Sequence, residues 1–450
     1  MDKIAEKFWD DNEEAFIKLL QIPSTYDKET VSDRMPFGRK VFDALTYMKD
    51  VLKENGFDVK EYGNMAISAD FGDGPDDERI DIVSHLDVVE PGGGWTYPPF
   101  AAIKKDGRII GRGTQDMKSG AWLTFLAVKH LRDSGLIPKR KLRLVYGSDE
   151  ERTMDDMKAY VKEAGLPAFA FTPDGTFPIT VGEKGAVMFV IRGDIRKDIT
   201  LEAGIQVNVI PPHARAFIKS ADFDALKRAC REAETDAELI REDGGITVKT
   251  RGTAAHASRP EEGHSALTDL LHILAVYTCD SLFKRLYTFF SDPYGTNGGF
   301  FFDIPPMGKL TLSLGTLEIK GGKLTGKVDC RYPMGVTAEE LYEIIKGYFH
   351  DLDVTVPYID RPGLADSNSA FVKALASAYR DVTGKEAQMK ITGGVSYSKV
   401  FGNSVNFGPV LEGDPFVAHE KDEYLITDSM KTALRIYIES IRRLSEITDV

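Results

Sequence analysis

Cysteine is scarce. Cys230, Cys279 and Cys330 are the only three in 450 residues, widely spaced and in no CxxC pairing. That scarcity speaks against a disulfide framework and a thiolate metal site, and suggests a reducing compartment. Long apolar runs are also missing, and none reaches the roughly 20 residues that span a bilayer. There is no dense lysine and arginine run. With 57 Lys and Arg against 70 Asp and Glu, the formal net charge of −13 argues against a nucleic-acid partner. The opening stretch from Met1 to Asp11 is acidic and amphipathic and lacks the apolar core of a signal peptide. Internal repeats and low-complexity segments are absent. The expectation is a cytoplasmic protein that meets neither membrane nor nucleic acid. At 42% apolar and 28% charged residues its composition is that of a globular chain, long enough for two or three domains.

What the chain does have is a set of apolar runs that end in polar side chains. Ile80, Ile82 and Val83 read as a buried strand that stops at His85 and Asp87. Residues two apart in a strand share a side, so His85 and Asp87 can face one site. The loop Glu90 to Trp95, with three consecutive glycines, follows. A strand from Lys141 to Tyr146 runs into Glu150 and Glu151, and one from Ala168 to Phe171 runs into Asp174 and Gly175. Helical periodicity marks two helices within residues 1–56, split by Pro23 to Asp27, another from Ala121 to Leu131, and one from Asp155 to Ala164. Strand, helix, strand, helix, strand is the α/β pattern with a mainly parallel sheet. Ligands of such sheets lie beyond the carboxyl ends of the strands. His85, Asp87, Glu150, Glu151 and Asp174 all follow predicted strands, and Asp116 just precedes a helix.

Near Glu183 to Gly185 the texture changes to alternating strands and helices. We read an insert with its own core over residues 186–358, between a first part, 1–185, and a second part, 359–450, of one catalytic domain. The second part carries a helix from Ser367 to Thr383, the glycine pair Gly393-Gly394, His419 and a final helix from Asp428 to about Leu444.

The site candidates are His85, Asp116, Glu150, Glu151, Asp174 and His419. Two imidazoles and several carboxylates, with no thiolate, suit Zn²⁺ or Mn²⁺. They exceed what one tetrahedral ion takes, and fit two ions roughly 3.5–4 Å apart with one carboxylate bridging them. In a turn, Glu150 and Glu151 can divide the work: one ligates, and the other takes a proton from metal-bound water. Asp87 can hold the His85 ring in orientation.

Several motifs resemble those of the co-catalytic zinc aminoacylase and exopeptidase superfamily. They are Ser84-His85-Leu86-Asp87 with Gly94-Trp95 and Pro99-Phe100, Gly111-Arg112-Gly113-Thr114-Gln115-Asp116-Met117-Lys118-Ser119-Gly120, Asp149-Glu150-Glu151, Pro173-Asp174-Gly175 and Ala255-His256. Within it the chain is most similar to peptidase V-type dipeptidases, on Phe177-Pro178-Ile179, Gly182 to Gly185, Val207-Asn208-Val209-Ile210-Pro211, Asp329-Cys330-Arg331-Tyr332-Pro333 and Ile391-Thr392-Gly393-Gly394. The resemblance spans the chain. It departs at Val395 and Lys399, where relatives carry a third glycine and an arginine, and at Arg152-Thr153, where Thr-Gly is usual.

The resemblance implies a zinc-exopeptidase-like catalytic domain with an inserted α+β lid of two ferredoxin-like halves, one on either side of His256. It implies that His85 and Asp174 hold one ion, Glu151 and His419 the other, and Asp116 bridges them. Glu150 would be the general base and Asp87 the orienter of His85. His256 and Asn208 would donate to the developing oxyanion, Arg331 would clasp the substrate's terminal carboxylate, and Gly393 and Gly394 would line the substrate. The expected activity is that of a metallodipeptidase with two divalent ions, Zn or Mn, acting as a monomer. The alternative is a deacylase of N-acyl amino acids on the same metal centre. A catalytically inert binding protein is disfavoured, because every ligand and the base are present.

Overall fold

The computed structural model describes residues 2–448. The chain folds into two compact units. The first takes in the chain up to Gly182, Leu364–Lys390 and the chain from Val395, and the second Glu183–Gly363 with Ile391–Gly394.

The first unit is built on a sheet whose strands lie in the order Val59–Tyr62, Ala66–Phe71, Leu142–Gly147, Ile80–His85, Phe169–Thr172, Ser404–Asn406, Ile179–Glu183. Ile80–His85 pairs in parallel with both of its neighbours, and Phe169–Thr172 pairs in parallel with Ser404–Asn406. The strands outside this centre run antiparallel. The sheet is therefore mixed, with parallel pairing confined to the middle; the flanks join by hairpin-type and reversed connections that periodicity alone does not reveal. His85 pairs with Gly147, and Asn406 with Thr172. The chain accordingly leaves the strand ends at His85, Gly147 and Thr172 along one edge.

All six residues of Ile80–His85 are buried, as expected of a strand covered on both faces. The helix Lys118–Asp133 packs on Ile80–His85 and against the C-terminal helix Thr427–Glu446, and its Trp122 meets Phe16 and Phe125. On the opposite face Val83, Val145 and Ala170 pack with Met157, Tyr160, Tyr397 and Phe401. Asp81, Val83 and His85 point to this second face by strand alternation. Asp81 meets Arg79 there in a fully buried pair, with Nε to Oδ1 at 2.8 Å. The Tyr160 hydroxyl donates to Asp81 at 2.8 Å, and Arg79 also donates to the carbonyls of Asp76, Ala164 and Gly165. Every side of that guanidinium is satisfied, which is what makes its burial tolerable.

The second unit is an antiparallel sheet in the order Glu238–Glu242, Gly245–Arg251, His213–Lys219, Ile199–Ala203, Thr311–Lys320, Lys323–Tyr332, Gly185–Asp194, Asp353–Asp360. The helices Phe223–Glu232, Ala266–Thr278, Ser281–Phe290 and Ala338–Tyr348 share its apolar core. The sheet is continuous, its two four-strand parts joined where Leu201 pairs with Ile319, and they do not divide at His256 as expected. Gly185–Asp194, earlier in the chain, lies between Lys323–Tyr332 and Asp353–Asp360, and Ala266–Thr278, later in it, packs on His213–Lys219 and Gly245–Arg251. Among the described residues no helix is long and apolar enough to cross a membrane.

Candidate metal centre

Three loops leave the strand ends of the first unit and converge with the start of a helix. His85 is the last residue of its strand, Asp174 lies two residues beyond Thr172, and Glu150 and Glu151 follow Gly147 in a turn. Asp116 precedes the helix Lys118–Asp133. Its carboxylate sets one oxygen toward each imidazole: Oδ1 is 3.0 Å from His85 Nε2 and Oδ2 is 2.8 Å from His419 Nε2. Asp174 lies 3.8 Å and Glu150 4.0 Å from His85 Nε2, while Glu151 lies 3.2 Å from His419 Nε2.

These atoms form groups tight enough to surround an ion. His85, Asp116 and Asp174 make one, Asp116, Glu151 and His419 another, and His85 with Glu150 and Glu151 a third. Asp116 belongs to the first two.

His85 is fully buried, and its orientation is held from behind. Nδ1 lies 2.9 Å from the backbone carbonyl of Asp87 and 3.5 Å from that residue's carboxylate. The orientation expected of the Asp87 side chain thus comes first from its main chain. The Asp87 carboxylate accepts from the N–H of Glu150 at 3.2 Å and of Glu151 at 3.1 Å, so it shapes the turn that presents both glutamates. With Nδ1 donating to a carbonyl, Nε2 is left to face Asp116.

The electrostatics call for a cation. Four carboxylates face two imidazoles. Burial opposes charge on His85 and His419, yet the neighbouring carboxylates outweigh it and raise both above the ordinary imidazole range. Burial also pushes the carboxyls of Glu150 and Glu151 up. The buried His85 Nε2 and Asp116 Oδ1 point at one another without a hydrogen-bond partner. An anionic pocket of N and O donors around these two buried atoms fits a hard or borderline divalent ion, which would displace the ring proton. These residues therefore suit the metal that the sequence motifs imply.

Sequence reasoning did not single out the residues around this centre. Asp156 accepts from the N–H groups of Ser148 at 2.5 Å and Asp149 at 2.9 Å and from the Tyr397 hydroxyl, and the Tyr397 ring meets His85 edge-on. The loop that carries His419 is laced to residues 111–116: Gln115 Nε2 donates to the carbonyls of Pro415 and Tyr424 at 2.9 Å each, and its Oε1 accepts from Val417 N at 2.8 Å. Asp156 had only its place in the first turn of a helix to mark it, and Tyr397 only its place behind the glycine pair.

The remaining expected residues belong to the second unit. Asn208 and His256 are brought together there: Val209 bridges His256, and Ala257 N donates to Asn208 O at 2.8 Å. His256 Nδ1 lies 2.7 Å from Ser258 Oγ and accepts from Ser258 N at 3.2 Å. Arg331 turns its Nε–Nη2 edge onto Asp329, at 2.8 Å for each contact, and its Nη1 donates to Gly393 O at 3.0 Å. One bidentate edge of the guanidinium is thus taken within its own strand. A Cβ on Gly393 would lie 2.3 Å from Ser258 Cβ, so that position requires glycine. Gly394 N donates to Thr392 Oγ1 at 3.0 Å.

A model of the Peptidase family M20/M25/M40 matches residues 82–443. The chain is 31% identical to the Beta-Ala-Xaa dipeptidase of Lactobacillus delbrueckii subsp. lactis, over 95% of this chain and 95% of that protein. It is 30% identical to the putative dipeptidase YtjP of Bacillus subtilis (strain 168), over 95% of this chain and 96% of that protein. Its fold is similar to the crystal structure of human carnosine dipeptidase 1, with a TM-score of 0.61 at 15% identity over 99% of this chain and 98% of that one. The di-peptidase Dug1p from Saccharomyces cerevisiae is similar too, with a TM-score of 0.62 at 15% identity over 100% and 98%.

Proposed function

This chain belongs to the peptidase family M20/M25/M40, and on that premise we propose that it hydrolyses the peptide bond of dipeptides at a centre of two divalent ions, Zn²⁺ or Mn²⁺. The observation that carries the reading is the Asp116 carboxylate, with one oxygen toward each imidazole and membership in both ligand groups. In this reading His85 and Asp174 hold one ion, Glu151 and His419 the other, and Asp116 is shared. The relatives named as dipeptidases, similar over nearly their whole length, favour dipeptides over other amides.

When bound, the ions supply Lewis acidity that polarises the scissile carbonyl and acidifies the attacking water. The chain's own residues do the rest. Glu150 takes a proton from the water as oxygen adds to the carbonyl carbon, and returns it to the amine as the C–N bond breaks. Asp87 keeps the glutamate turn and the His85 ring in place through separate atoms. To His256 and Asn208 we assign donation to the oxyanion, to Arg331 the substrate's terminal carboxylate, and to Gly393 and Gly394 close approach to the substrate backbone. The Ser258 N–H on His256 Nδ1 supports the first role, since it leaves the ring proton on Nε2 as a donor.

The test is a panel of dipeptides and N-acetyl amino acids, assayed with Zn²⁺, Mn²⁺ or Co²⁺ added to metal-free protein. Dipeptide turnover that depends on metal is expected. Preferential release of acyl groups from N-acetyl amino acids would replace the dipeptidase reading with the deacylase one.

A further inference from the structure

We propose that Glu423 is a positioning residue of the metal centre, whose buried carboxylate locks the loop carrying Asp116 to the loop carrying His419. The inference rests on the two-ion reading above. Glu423 lies four residues beyond His419 and is 0% exposed. Its Oε1 accepts from the N–H of Gln115 at 2.7 Å and from the N–H of Asp116 at 3.3 Å. Its Oε2 accepts from Arg112 Nη1 at 2.5 Å. Arg112 in turn donates through Nη2 to the carbonyl of His419 at 3.2 Å. A closed circuit results: Asp116 N–H to Glu423, Glu423 to Arg112, Arg112 to the His419 main chain, and the His419 ring back to the Asp116 carboxylate at 2.8 Å. The frame is extended by backbone pairing, with Gly111 N donating to Glu423 O at 2.8 Å and Tyr424 opposite Ile110.

The His419 loop needs such a device. Its imidazole is 53% exposed, and its backbone sits at φ +65°, which few side chains favour. Packing therefore does little to hold the ring, and its position against Asp116 is set by main-chain anchors. Glu423 is suited to anchoring because a carboxylate only accepts, and the Gln115 and Asp116 N–H groups and the Arg112 guanidinium around it donate. An amide of the same shape cannot repeat this. Whichever way it turns, its NH₂ meets either the backbone N–H groups or the guanidinium, and a buried donor goes unmatched.

The experiment uses the full chain, stripped of metal, in wild-type, Glu423→Gln and Arg112→Lys forms. Zn²⁺ and Mn²⁺ are titrated against a chromogenic chelator, elemental analysis gives stoichiometry, and thermal unfolding is followed on the metal-free proteins. The wild type should take two ions. Each variant should hold one ion at wild-type affinity and bind the other about tenfold to a hundredfold more weakly, the scale for residues that orient a ligand. Adding Glu423→Gln to His419→Ala should weaken metal binding no further than His419→Ala alone. Two ions at wild-type affinity in both variants would overturn the inference alone, and so would a lower unfolding midpoint with unchanged metal binding. If Glu423→Gln does not fold, the Arg112→Lys titration decides by the same criteria. Fewer than two ions in the wild type would overturn the two-ion reading and this inference with it.

Discussion

Glu150→Gln separates the base from the ligands. The turn that presents Glu150 is held by its own N–H and that of Glu151 on the Asp87 carboxylate, at 3.2 and 3.1 Å. The Glu150 side chain takes no part in those bonds, so an amide of equal size leaves the turn in place. Glu150 shares a ligand group with His85 and Glu151, but in the proposed reading it ligates neither ion, whereas Glu151 lies 3.2 Å from His419 Nε2. Glu151→Gln should therefore lose an ion, and Glu150→Gln should keep both. What Glu150→Gln loses is proton transfer, which contributes about 10²–10⁴ in rate, or about 3–5 kcal/mol of barrier. Burial raises the Glu150 carboxyl, with Glu151, Asp174 and Asp116 pushing the same way against His85. Bound cations would oppose that shift, but any carboxylate base is withdrawn as the pH falls, so the acid limb of the wild-type pH profile should vanish from the variant's residual activity. The assay is kcat and KM on a dipeptide, using protein whose two ions have been counted by elemental analysis. Activity within about tenfold of wild type in a fully loaded variant, or loss of an ion from it, would refute the reasoning.

Asp116→Ala should lose metal as well as rate, because both ligand groups share that carboxylate; two ions per chain by elemental analysis would contradict this. The carboxylates raise His85 and His419 against burial, so the metal-free rings carry protons that an ion must displace. Metal loading in weakly buffered solution should release protons, and apparent affinity should strengthen as pH rises; a pH-independent affinity would count against it. Mixing His256→Ala with Glu150→Ala should restore no activity if the chain works as a monomer, and recovery of a sizeable fraction would mean that chains share a site. Asp81→Ala should cost about 3–5 kcal/mol in urea unfolding, since it strands a buried arginine, and a loss below about 1 kcal/mol would show that Arg79 finds other compensation.

The sequence alone determined which residues end the central strands. An apolar run that stops at a histidine or an acid announces both the strand and its terminus, because burial favours the run and water or a ligand favours the end. That is why His85, Glu150, Glu151 and Asp174 were legible, and why Asp116 stood out before a helix. The motifs around them carried the family. Tertiary structure alone decided what lies between elements distant in sequence. Strand direction at the sheet flanks depends on which edge each connection reaches, and alternation is the same for both directions. The split of Asp87 into a carbonyl for His85 and a carboxylate for the glutamate turn follows from how two loops meet. Only the folded strand shows that Asp329, two residues away on the same side, takes one edge of the Arg331 guanidinium. Nothing local in the sequence marks Glu423 or says that its carboxylate is buried. Its donors come from residues 112–116, some three hundred positions earlier, and only the folded chain brings them together.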